Sequence, residues 1–121
     1  MNRGKMSEIY NSILLDLKQV EGVKMLALAG RDGFLIGEET NNDMELFTLM
    51  SATMLRAAEK LTNSLEKVSP DHVIVDYEGG KLITAAAGQK ALISLLTTKN
   101  ASIEPIINEL DRAASRIKEI L

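Results

Sequence analysis

The chain has 121 residues, 45% of them hydrophobic and 26% charged, with a formal net charge of -3 and no cysteine. That is the size and composition of one globular domain whose core forms without disulfides or thiolate-bound metal; a disordered chain would be less hydrophobic, and a phosphate-binding surface would be basic. The opening residues lack the apolar run of a secretory signal, and no stretch approaches the roughly 20 apolar residues that span a bilayer. The expectation is therefore a cytoplasmic protein with no nucleic-acid partner and no membrane insertion.

After a short polar tail at 1–6, a domain is expected over 7–121, beginning with a helix at 7–20. Met6, Ile9, Tyr10, Ile13, Leu17 and Val20 recur at helical spacing, Ser7 is placed to cap the start, and Gly22 closes the segment. A hairpin follows, with strands at 23–29 and 34–37 about the turn Gly30-Arg31-Asp32-Gly33. Glycine at both ends of that turn supplies the positive φ that tight turns need. Both alternating sets of the first strand are mainly apolar, so its sheet is expected to be covered on both faces.

The longest helix is expected at 44–68, opened by Asn41-Asn42-Asp43, with Asn42 and Glu45 spaced as in a capping box. Phe47, Met50, Met54, Ala57, Ala58, Leu61, Leu65 and Val68 form its main stripe, which is expected to be core; an adaptable methionine-bearing partner groove is the other reading. Leu46, Leu49 and Leu55 lie off that stripe, so the first half of the helix requires a second surface. Ser69-Pro70-Asp71 breaks the helix. Strands at 72–77, 81–87 and 91–97 follow, joined by Glu78-Gly79-Gly80 and Gly88-Gln89-Lys90; the last is almost continuously apolar and should lie centrally. A final helix, capped by Asn100 or Ser102, carries Ile103, Ile106, Ile107, Leu110, Ala114, Ile117 and Leu121 on one stripe. The order is helix, two strands, helix, three strands, helix, and the short connections make the sheet antiparallel.

Residues suited to catalysis are sparse. His72 is the only histidine, so no histidine cluster can hold a metal, and a strand-end or interface role is expected for it. Gly79-Gly80-Lys81 lacks the first glycine, the following hydroxyl residue and the helix of a phosphate loop. Gly30-Arg31-Asp32-Gly33 lacks the third glycine and the helix of a dinucleotide loop. Arg31 would be placed to enter a partner's nucleotide site as arginine fingers do, but a solvated turn residue is the plainer expectation; Arg56, Arg112 and Arg116 are expected on solvated helix faces. No catalytic residue, metal ligand or cofactor site is assigned, and the chain is not expected to be an enzyme.

Three stretches together resemble the Roadblock family, the domain shared by dynein light chains of that name and prokaryotic regulators of Ras-like GTPases. They are Gly22-Val-Lys-Met-Leu-Ala-Leu-Ala-Gly-Arg-Asp-Gly33, the long helix with Ala57-Ala58 at its middle, and Val73-Ile-Val-Asp-Tyr-Glu-Gly-Gly80 followed by two strands and the helix led by Asn100-Ala-Ser-Ile103. The resemblance implies a profilin-like α+β fold, in which a five-stranded antiparallel sheet lies between the long helix and a two-helix layer. It also implies a homodimer formed by the edge strand His72, Val73, Ile74, Val75, Asp76 and Tyr77, with Leu46, Leu49 and Leu55 meeting the mate. The implied function is a regulator or scaffold of a small Ras-like GTPase, some such domains promoting GTP hydrolysis. The alternative is a small-molecule-sensing or structural adaptor domain with no GTPase partner; the low aromatic content of 3% argues against a ligand pocket.

Overall fold

The computed structural model describes residues 3–36 and 42–121. Its elements are α1 (Arg3–Lys18), β1 (Val23–Gly30), α2 (Asn42–Glu66), β2 (His72–Tyr77), β3 (Gly80–Ala87), β4 (Ala91–Thr97) and α3 (Ile103–Ile120). The strands form one antiparallel sheet in the order β1-β4-β3-β2. β4 is thus interior, as its apolar run requires, and β2 is an edge.

Strand alternation divides the core into two layers. Leu28, Ile83, Ala85, Ile93 and Leu95 face α1 and α3, where they meet Tyr10, Ile13, Leu14, Leu17, Ile106, Leu110 and Ile117. The opposite face carries Ala29 and Leu92, which meet Ala52 and Leu55 of α2. The first and last helices share one side of the sheet and the long helix covers the other.

Several boundaries differ from expectation. Helix α1 starts at Arg3 and takes up residues expected in a tail, so Ser7 lies within the helix and does not cap it. Of the strand expected at 34–37, the described residues 34–36 form only an isolated bridge between Ala29 and Leu35, so the described sheet has four strands in place of five. The return arm bonds through Gly30 N–H to Phe34 O (2.9 Å) and Ile36 N–H to Leu28 O (2.9 Å), and Phe34 is 67% exposed, so it has little sheet to build on. Gly37 and Asn41 lie outside the described residues, as does the Asn42 side chain of the expected capping box. Helix α2 ends at Glu66, and Lys67 turns the chain out at φ 61° before Pro70. At the start of α3, Ser102 occupies the N-cap, though its side chain makes no capping bond.

The turn after β1 follows its glycines. Gly33 N–H donates to Gly30 O (2.9 Å), Phe34 N–H donates to Asp32 Oδ1 (3.0 Å), and Gly33 sits at φ 91°. A Cβ on Gly33 would also stand 3.0 Å from Leu49 Cα, so the same glycine lets α2 approach the turn closely. Gly80, at φ 151°, is tighter still: a Cβ there would lie 2.1 Å from Thr97 O on β4.

Candidate self-association surface

Helix α2 rests on the sheet by small side chains. Thr48, Ser51, Ala52 and Leu55 are its buried residues, and they fall on one line at 100° per residue. Ser51 Oγ lies 2.8 Å from Ser94 Oγ, which lies 2.6 Å from Thr84 Oγ1, so the buried hydroxyls of helix and sheet satisfy one another. The large apolar residues point elsewhere. Leu46 is 62% exposed, Met50 50%, Leu61 60% and Leu65 70%. The stripe expected to be core is therefore largely open, and the face that packs on the sheet is the one that looked less apolar.

The open stripe lies on the β2 side of the helix. Leu49 meets Gly33 beyond β1, Leu55 meets Ala29 and Leu92 of β1 and β4, and Ser51 meets β4 and β3 through its hydroxyl network. Continuing around the helix in that direction leads past Phe47 and Met54, both half-buried, to Met50 and Leu61. Beside it, β2 presents its free edge: among the described residues it pairs with β3 alone. Val73 packs against the α2 layer, while Val75 and Tyr77 on that face are 38% and 42% exposed. On the opposite face Ile74 is 45% exposed. An unpaired strand edge bearing apolar side chains on both faces pairs readily with another chain.

The residues predicted to meet a second chain are thus only partly brought together. The strand residues His72, Val73, Ile74, Val75, Asp76 and Tyr77 lie on this side of the molecule, and Leu46 is 62% exposed on the face of α2 that points away from the sheet, next to Met50. Leu55 does not: it is 0% exposed beneath the helix, because the period that separates it from the apolar stripe turns it onto the sheet. Leu49 lies on the other flank of α2, against Gly33. Met50, Leu61 and Leu65, expected in the core, belong to the open face.

Arg31 is neither a solvated turn residue nor a free finger. Its guanidinium forms a fork with Glu59 of α2, with Nη1 2.5 Å from Oε1 and Nη2 3.1 Å from Oε2. Nη2 also donates to Gly88 O at 2.9 Å, and Nε donates to Ala91 O at 3.0 Å. One side chain thereby ties the β1 turn, the β3–β4 turn and α2 together. Arg56, Arg112 and Arg116 are exposed, as expected. At the start of β2, His72 Nε2 lies 2.6 Å from Asp111 Oδ1 of α3, fixing one end of the edge strand to the two-helix layer.

Among the described residues no group of three or more His, Asp or Glu side chains is placed to hold a metal ion, and no helix is long and apolar enough to cross a membrane. A cleft of about 750 Å³ beside the start of β2 is lined by Arg31, Glu59, His72, Asp111 and Lys118 with several small residues. Arg31 and His72 both have carboxylate partners within the chain there.

Comparison with known proteins agrees with this architecture. The protein MJ0714 of Methanocaldococcus jannaschii is 29% identical over 112 residues, covering 91% of this chain and 94% of that protein. Among solved structures, the gliding protein MglB of Thermus thermophilus superposes with a TM-score of 0.85 at 18% identity, over 99% of this chain and 93% of that one. A Roadblock/LC7 domain from Streptomyces avermitilis gives 0.81 at 11% identity, over 91% and 95% of the two chains. Profilin II of Acanthamoeba castellanii gives 0.57 at 14% identity, over 82% and 87%. The sequence model of the Roadblock/LC7 domain matches residues 9–97, from the first helix through the last strand, and the chain belongs to that family.

Proposed function

We propose that this chain is a homodimeric protein-binding module that regulates or scaffolds a small Ras-like GTPase. The observation that carries the reading is the open apolar face made by Leu46, Met50, Leu61 and Leu65 of α2, lying beside the free edge of β2. Together these form an apolar surface that the described residues of the protomer leave open, and a twofold mate would cover helix face and strand edge at once. The family supports the functional half, because Roadblock domains are regulatory and adaptor domains and their prokaryotic members act on Ras-like GTPases.

Arg31 does not supply a catalytic finger in this reading, since four of its donor contacts are used inside the protomer. Any effect on GTP hydrolysis would come from holding the GTPase's own residues in the productive geometry. The test is GTP turnover and direct binding by a Ras-like GTPase from the same cell, with and without this protein. Binding with altered turnover supports regulation, binding alone supports a scaffold, and neither would remove the GTPase from the account.

A further inference from the structure

We propose that β2 pairs with its twofold mate in one register, centred on Ile74, so that His72 of each chain stands opposite Asp76 of the other. This rests on the self-association proposed above and adds its geometry. In an antiparallel pair, residues directly opposite each other project from the same face of the sheet. A strand paired with its own copy therefore matches residues an even number apart, and the twofold axis must fall on a residue, not between two. In a six-residue strand, only axes at Ile74 or Val75 keep five residues of each copy paired.

The two registers differ in what they bring together. With the axis at Ile74, Ile74 meets Ile74 of the second copy, Val73 meets Val75, and His72 meets Asp76. The strand His-Val-Ile-Val-Asp is thus apolar at its centre, with an imidazole at one end and a carboxylate that it can hydrogen-bond at the other, which is the pattern that antiparallel self-pairing satisfies. With the axis at Val75, the exposed Ile74 would instead stand opposite a carboxylate, leaving that charge beside apolar surface.

Each end of the strand already has a polar partner within the chain. His72 and Asp76 both project toward the α1/α3 side, opposite Ala85 and Lys81 of β3. His72 is bonded to Asp111, and Asp76 is paired with Lys81. Asp76 keeps 74% of its side chain exposed and Asp111 keeps 56%, so both carboxylates can accept further partners. Joining two copies in the Ile74 register aligns Asp111 and His72 of one chain with Asp76 and Lys81 of the other. Acidic and basic groups then alternate along the seam, and the twofold repeats the set at its other end.

The native chain has no cysteine, so single-cysteine variants report the register without background. Ile74→Cys and Val75→Cys are each exposed to a mild oxidant and run on a non-reducing gel. The reduced proteins, with the wild type, are weighed by light scattering. In the Ile74 register the two thiols introduced by Ile74→Cys stand directly opposite, on backbones about 4.5–5.5 Å apart at Cα, inside the range a disulfide spans. Those introduced by Val75→Cys are offset by two positions, at roughly 7–8 Å, outside it. Covalent dimer from Ile74→Cys and little from Val75→Cys is the expected result. Faster cross-linking of Val75→Cys, or none by either variant while both remain dimeric, overturns the register and leaves self-association standing. A monomeric wild type overturns both.

Discussion

Replacing Leu61 by glutamine separates the two roles of α2. Leu61 is 60% exposed on the isolated protomer, and covering a leucine fully contributes about 1.5–3 kcal/mol. Burying the exposed part in a dimer therefore contributes roughly 1–2 kcal/mol per side chain, or about 2–4 kcal/mol over the two copies. Losing that contribution should raise the dimer Kd by about thirty-fold to several-hundred-fold. The protomer itself should change by no more than ~0.5 kcal/mol, because the substitution is at its surface and glutamine suits a helix. Leu55→Ala is the counterpart: at 0% exposure it should cost the fold about 2–5 kcal/mol through lost packing and a cavity. Sedimentation equilibrium gives Kd, and urea denaturation at matched dilute concentration gives protomer stability. An unchanged Kd for Leu61→Gln, or equal destabilisation of the fold by both variants, would refute the assignment of faces.

Arg31→Ala should lower stability to urea by about 1–3 kcal/mol, because it leaves Glu59 and two backbone carbonyls without their donor. Arg31→Lys should recover less than half of that loss, since an ammonium cannot reproduce the fork; full recovery would mean that charge alone matters there. Gly80→Ala should destabilise by more than about 1 kcal/mol, because its Cβ would collide with Thr97 O, and a shift in thermal midpoint of several degrees would record it. Asp76→Lys puts a cation opposite His72 and beside Lys81, and should weaken association about tenfold with the protomer still folded.

The two-helix layer is legible in the sequence because its residues have one task. Ile106, Leu110 and Ile117 recur at helical spacing and bury against one surface, and the same holds for Ile13 and Leu17. The interior position of β4 also follows from its apolar run, whereas the edge position of β2 is implied by the family resemblance and not by its own pattern. Helix α2 misleads for a physical reason: periodicity reveals an apolar stripe but not what covers it. Its sheet contact runs through Thr48, Ser51 and Ala52 against Ala29, Thr84 and Ser94, where small side chains and paired hydroxyls let the backbone come close. That contact carries almost no hydrophobic signal, and so the pattern places Leu55 on the wrong side. The Arg31–Glu59 fork joins residues 28 apart and lies beyond the reach of local spacing. Residues 34–36 have turn chemistry before them and apolar character, yet among the described residues they form only one bridge, between Leu35 and Ala29.

The proposed function requires self-association through β2 and the outer face of α2. Sedimentation equilibrium of the intact protein at micromolar concentration tests it most directly, with Leu61→Gln run alongside. The expected result is a species of twice the 13.2 kDa chain mass for the native protein and a shift toward single chains for the variant. A native protein that sediments as one 13.2 kDa chain across that range, or a variant as dimeric as the native protein, would contradict it.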